Sequence, residues 1–140
     1  MKKFFFLALA LTVCAFTFVS CEKEKDKDNG SETNFKEMIV GTWQFTRVWD
    51  AEDKMWYEGE DIEDIAYIFD ANGNFIQDYK DGYSETYKYR IEKDLIYVGY
   101  EEDGNGIDWE KTYKISSISS DKMVLVWVDS NNKWEFEKNK

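Results

Sequence analysis

From Trp43 to the C-terminus, runs in which large apolar side chains alternate with charged or hydroxylated ones are separated by short stretches of Asp, Asn and Gly. That rhythm constrains the fold more than any other feature. An extended backbone sends successive side chains to opposite faces, whereas a helix needs apolar residues three and four apart. The run 86–91 reads TYKYRI and puts Tyr87, Tyr89 and Ile91 on one face against Lys88 and Arg90. Trp134 and Phe136 stand against Glu135 and Glu137, and Trp109, Tyr113 and Ile115 share a face against Glu110, Thr112 and Lys114. Trp43, Phe45 and Trp49 share one against Gln44 and Thr46. Such alternation describes antiparallel sheets with one wet face.

Turn chemistry sets the lengths. Asp70-Ala71-Asn72-Gly73-Asn74, Asp81-Gly82, Glu92-Lys93-Asp94, Asp103-Gly104-Asn105-Gly106 and Asp129-Ser130-Asn131-Asn132 each break a run. About eight strands result, near 42–50, 54–58, 65–70, 73–79, 84–91, 94–100, 107–115 and 122–128, with a ninth near 133–138. After position 34 only Ala51, Ala66 and Ala71 supply alanine, so helix is confined to a short turn around Asn34 to Val40, which Asn34 is placed to cap. Hairpins in series with no crossover helix predict an all-β fold, a small antiparallel up-and-down barrel whose closure removes exposed edges.

Ahead of this domain the composition changes twice. Residues 22–33, EKEKDKDNGSET, contain no apolar side chain and are read as a flexible tether. Before them, Met1-Lys2-Lys3 leads into an apolar run from Phe4 to Val19, then Ser20 and Cys21, the layout of a secretory signal peptide and too short to span a bilayer as a helix. Phe18-Val19-Ser20-Cys21 resembles a bacterial lipobox, and its aromatic first position is similar to the variants in Bacteroidota lipoproteins. The resemblance implies cleavage before Cys21, acylation of its thiol and a lipid anchor in the outer membrane of the cell envelope, on a face the sequence leaves open. The expected division is therefore signal peptide 1–20, lipidated Cys21 and tether 21–34, and barrel 35–140. Cys14 would leave with the leader, so the mature chain has no partner for a disulfide.

Charge and residue types then exclude classes of function. The net charge of −11 becomes −13 once Lys2 and Lys3 are removed, which argues against nucleic acid and anionic headgroups as partners. Histidine is absent, the one retained thiol is spoken for, and no nucleophile elbow or phosphate loop occurs, so the chain is read as a non-enzyme that calls for no cofactor. The Asp/Asn/Gly loops do not have calcium-loop spacing: Gly73 is fourth from Asp70, where an EF-hand needs glycine sixth and glutamate twelfth. Hairpin turns explain them without metal.

Counting by two from Trp43 reaches Arg47, and counting from Trp109 reaches Lys111, so alternation alone sends both cations toward the barrel axis. With Tyr87, Tyr89 and Trp109 they form a candidate pocket lining for an anionic headgroup. The competing expectation is that each cation lies near a rim and snorkels to water, or pairs with an inward acid.

Val40-Gly41-Thr42-Trp43 at the start of the first strand resembles the Gly-x-Trp motif of lipocalin and calycin barrels. The rhythm of Tyr67-Ile68-Phe69, Asn72-Gly73-Asn74-Phe75 and Tyr89-Arg90-Ile91 is similar to the short lipocalin-like domains of Bacteroidota lipoproteins. The resemblance implies that Gly41 and Trp43 mark the barrel base and that a late basic residue, here Lys138, stacks over Trp43. It also implies a binding protein for a small hydrophobic or amphipathic molecule. The alternative is a structural or protein-interaction module with a filled barrel, docking through exposed Met55, Trp56 and Tyr57 or through Tyr79 and Tyr83. A hollow interior would distinguish the two.

Overall fold

The computed structural model describes residues 34–140, together with the backbone but not the side chain of Glu102. The expected signal peptide, Cys21 and nearly all of the expected tether lie outside the described residues. A single turn of helix at 34–38 leads into nine strands: β1 Gly41–Asp50, β2 Met55–Glu58, β3 Ile65–Phe69, β4 Asn74–Tyr79, β5 Tyr83–Glu92, β6 Leu95–Glu102, β7 Gly106–Ile118, β8 Lys122–Trp127 and β9 Lys133–Lys138. All pairings are antiparallel, and β1 pairing with β9 closes the sheet into a barrel.

Nine segments make eight staves. β2 and β3 lie in tandem along one edge of β1, with Arg47 opposite Glu58 and Gln44 opposite Ala66. Together they form one broken strand, interrupted at 59–64 by the single 3₁₀ turn Gly59–Asp61. Gln44 bridges the break, its Nε2 donating to Asp64 Oδ1 at 2.7 Å and to the Ile65 carbonyl at 3.1 Å. The rest is the expected meander, each strand hydrogen-bonded to the next in sequence.

Alternation holds along β3, β4 and β5. It slips by one residue at three places, between Phe45 and Arg47, between Tyr113 and Lys111, and between Ile115 and Ser117. Each is a bulge, and a bulge exchanges the faces of everything beyond it. Thr46 occupies the first and fastens it, its hydroxyl donating to the Glu135 carbonyl at 3.0 Å. Beyond it Val48 packs on the core, while Trp49 lies outside against Trp56 at 5.6 Å between ring centroids. Trp49 therefore does not share the face of Trp43 and Phe45, and Trp109 does not share that of Tyr113 and Ile115.

The interior is aromatic and filled. Tyr67 packs with Phe75 at 4.9 Å and Phe136 at 4.8 Å, Phe69 stacks on Phe75 at 4.7 Å, and Phe45 stacks on Trp134 at 4.8 Å. Ile96, Val98, Met123 and Leu125 complete the core. The indole N–H of Trp134 is buried there without an acceptor.

One end of the barrel is sealed. Phe35 from the helical turn packs on the core, and Ile39 behind it is wholly buried. Trp43 Nε1 donates to the Ile39 carbonyl at 2.7 Å. Lys138 lays its ammonium over the Trp43 ring at 4.9 Å and donates to the Met38 carbonyl at 3.3 Å. Gly41 makes room for this: its φ of +139° suits only glycine, and a Cβ there would lie 2.5 Å from Lys138 Cε. The spacing Gly-x-Trp thus has a physical cause, a flat approach of a lysine stem to the indole across a bare backbone.

Candidate functional site

The other end is open. It is ringed by the β1–β2, β4–β5, β6–β7 and β8–β9 connections, whereas the helical turn and the β3–β4, β5–β6 and β7–β8 connections lie at the sealed end. At this mouth β5 and β6 part company, because their ladder stops at Lys88 opposite Gly99 while β5 continues paired to β4 as far as Tyr83 and β6 continues paired to β7. Between them lies a cleft of about 450 Å³ lined by Thr86, Tyr87, Lys88, Gly99, Tyr100 and Glu101.

The inward face here is built from tyrosines and carboxylates. Along β5 the period-two series Tyr83, Glu85, Tyr87, Tyr89 and Ile91 runs from rim to core. Glu85 sits between two hydroxyls, accepting from Tyr83 at 2.8 Å and from Tyr87 at 2.7 Å. Those two bonds hold its carboxyl below the usual carboxylate range, so it stays ionised. Burial, then the hydrogen bond to Glu85, push the Tyr87 hydroxyl far above its ordinary value. The Tyr100 ring meets that of Tyr87 edge-on at 5.2 Å. Burial raises the Tyr100 pKa, with Glu110 and Glu85 adding to it.

A polar chain descends from the mouth into the core. Tyr79 donates to Gln77 Oε1 at 3.3 Å, Gln77 Nε2 donates to the Tyr67 hydroxyl at 3.2 Å, and that hydroxyl shares a 2.9 Å bond with Tyr113. Burial lifts the Tyr113 hydroxyl to about 12 and that of Tyr67 well above 10.0. Two neutral hydroxyls that satisfy each other are what a dry core tolerates.

The residues expected to line a pocket separate. Tyr87 is at the mouth. Tyr89 faces inward but belongs to the sealed half, where its hydroxyl donates to the Asp70 carbonyl at 2.8 Å and its ring packs edge-on against Phe69. Arg47 is turned outward by the bulge at Thr46. There it pairs with Glu135 at 2.6 Å and stacks on Trp56 at 4.3 Å. Lys111 is exposed opposite Tyr97, on the outer face, because of the bulge at Thr112. Trp109 is outside as well, lying over Gly99, where a Cβ would come within 3.0 Å of its ring, and holding the Arg90 guanidinium at 4.7 Å. Both cations therefore lie on the outer face, Arg47 paired with Glu135 and Lys111 exposed.

Gly41, Trp43 and Lys138 meet at the sealed end, the lysine stem passing Gly41 to reach the Trp43 ring. Glu85, Tyr100 and Gln77 were not foreseen. The signal for Glu85 lay in extending the Tyr87–Ile91 alternation two residues toward the N-terminus. Tyr100 required knowing that β6 runs past its ladder with β5. In the Asp70 turn both carboxylate oxygens accept from the chain itself, from the backbone N–H of Asn72 and Asn74 and from the Asn74 amide, which accounts for the Asp/Asn/Gly composition.

A family model described as a lipocalin-like domain matches residues 39–125 of the chain. No curated protein matches it, and no solved structure matches it.

Proposed function

Since the chain belongs to the lipocalin-like domain family, we propose that it is a non-catalytic binding protein of the cell envelope, holding a small hydrophobic or amphipathic molecule in the open mouth of its barrel. The lipocalin-like fold is generally a binding fold, which supports this reading by analogy. The observation that carries the reading is the Tyr87–Tyr100 cleft. Its volume of about 450 Å³ falls within the several hundred cubic ångströms usual for small-molecule sites. With Tyr67, Phe75 and Phe136 filling the interior below it, the ligand is held at the rim with its tail against tyrosine rings and is not swallowed whole.

Cys21 carries the anchor in this proposal, as the acylated first residue of a Bacteroidota-type lipoprotein in the outer membrane. Two or more acyl chains hold a protein at a bilayer where one chain binds only reversibly. The chain enters the barrel at its sealed end, so a tether from Cys21 leaves the mouth on the opposite side, open to solutes. Metabolic labelling with palmitate tests the anchor: incorporation in the wild type that Cys21→Ala abolishes is expected, and an unlabelled mature protein would refute it.

A titration monitored by tryptophan and tyrosine fluorescence tests the binding. Uptake of amphiphiles that Tyr87→Ala weakens about tenfold, at a temperature where its unfolding curve shows the variant still folded, is expected. Unchanged uptake would remove the mouth from consideration. A second reading, a protein-docking module, draws on the filled core and on Met55 and Trp56, 49% and 36% exposed beside Arg47.

A further inference from the structure

We infer that the mouth selects ligands with a positively charged, ammonium-type head, through the Glu85 carboxylate set among the rings of Tyr83, Tyr87 and Tyr100 beside the β5–β6 cleft. This rests on the mouth being the ligand site, and it reverses the anionic preference that Arg47 and Lys111 would have given had they faced inward.

The geometry makes the case. Each Glu85 oxygen accepts one tyrosine hydroxyl, at 2.8 Å and 2.7 Å, and a carboxylate oxygen has two lone-pair directions, so one on each remains for an N–H or a close cationic methyl. Aromatic faces attract cations through their quadrupole, and two rings in edge-on contact at 5.2 Å offer a face together with an apolar wall for the first carbons of a tail. Further acids stand on the same face of the sheet, Glu110 opposite the buried Val98 and Asp108 opposite Tyr100.

The inward positions at the rim carry no cation. The inward series of the neighbouring strands near the rim reads Gln77 and Tyr79 on β4, Tyr83, Glu85 and Tyr87 on β5, and Tyr100 on β6, with no lysine or arginine. Lys88 is the one cation among the cleft residues, and it is turned to the other face, where it gives its ammonium to Asn74 Oδ1 at 2.6 Å. Arg90 is held between Tyr97 and Trp109 outside the barrel. An anionic head entering the mouth would meet uncompensated carboxylates, whereas an ammonium would complete them.

The test is a calorimetric titration of the full-length protein with octyltrimethylammonium, octyl glucoside and octyl sulfate, which share a tail and differ in the charge of the head. The ammonium probe is expected to bind about tenfold tighter than the glucoside, with the sulfate weakest. Glu85→Gln is expected to weaken the ammonium probe about tenfold and the glucoside much less, so that the two bind alike. Tyr100→Leu, a change at an exposed ring, is expected to weaken the ammonium probe more than the glucoside. Sulfate binding at least as tight as ammonium binding, or full ammonium affinity in both variants, overturns the cation preference while leaving a binding site at the mouth. Failure to take up any of the three probes overturns both readings.

Discussion

Two inward-facing tryptophans, one fully and one partly buried, show how little of a residue's role its type reveals. Trp43 and Trp134 both belong to inward series of their strands, yet Trp43 Nε1 has the Ile39 carbonyl at 2.7 Å and the Trp134 indole N–H has no acceptor. A net hydrogen bond contributes about 1 kcal/mol, and a buried donor left unpaired costs about 1–3 kcal/mol. Replacement by phenylalanine removes a comparable volume at each site, so the difference lies in the N–H group. Trp43→Phe also strips Lys138 of its best aromatic partner and leaves the Ile39 carbonyl bare. We expect Trp43→Phe to destabilise by about 2 kcal/mol more than Trp134→Phe in urea unfolding. Equal losses would mean that the base contact of Gly41, Trp43 and Lys138 contributes nothing beyond packing.

At the scale of strands, what could be read from sequence was the alternation within a run, and what could not was its interruption. Tyr83 to Ile91 has no bulge, so the inward positions of Tyr87, Tyr89 and Ile91 were legible, and so in principle was that of Glu85. Arg47 and Lys111 were misplaced because Thr46 and Thr112 each add one residue to a ladder. An isolated threonine carries no mark that its hydroxyl will bond a cross-strand carbonyl, as Thr46 does with Glu135. The break between β2 and β3 was hidden for a related reason: only the pairing of both with β1 shows that they make one stave. Turn positions were more legible, although Lys54, Lys93 and Asn131 take positive φ of 54°, 57° and 60° where glycine would be the usual choice. Deleting Thr46 would place Arg47 directly after Phe45 in a regular ladder, still opposite Glu135 and still facing outward, so Val48 keeps its place on the core and only the hydroxyl bond to the Glu135 carbonyl is lost. The expected cost is about 1 kcal/mol in urea unfolding. Loss of folding on deletion would show that the bulge itself, and not only the order of the faces, is needed to close β1 onto β9.

For the whole molecule, the division into a sealed end and an open end organises both stability and function. Pairing of the two core hydroxyls, Tyr67 with Tyr113, joins β3 to β7 across the barrel at 2.9 Å. Their folded-state pKa values are raised above the ordinary 10.0, with Tyr113 at about 12. The stability linked to them is therefore complete below pH 10 and falls as pH rises from 10 toward 12, because the unfolded chain releases those protons first. Unfolding free energy should drop by about 1.4 kcal/mol per pH unit for each such tyrosine in that window. In Tyr67→Phe the slope should be shallower, and tyrosinate absorbance in the wild type should report these two groups only as the barrel opens. An identical alkaline slope in Tyr67→Phe would show that the Tyr67 hydroxyl titrates alike in the folded and unfolded chain.

The central claim is that a ligand sits at the parted ends of β5 and β6 and not on the outer wall. Amide NMR of the isotopically labelled protein, titrated with an octylammonium-type amphiphile, tests it directly. The account predicts shifts concentrated at Tyr83 to Lys88 and Val98 to Glu101, with the sealed end around Trp43 and Lys138 silent. Shifts centred on Met55, Trp56 and Arg47, or none at saturating probe, would contradict it.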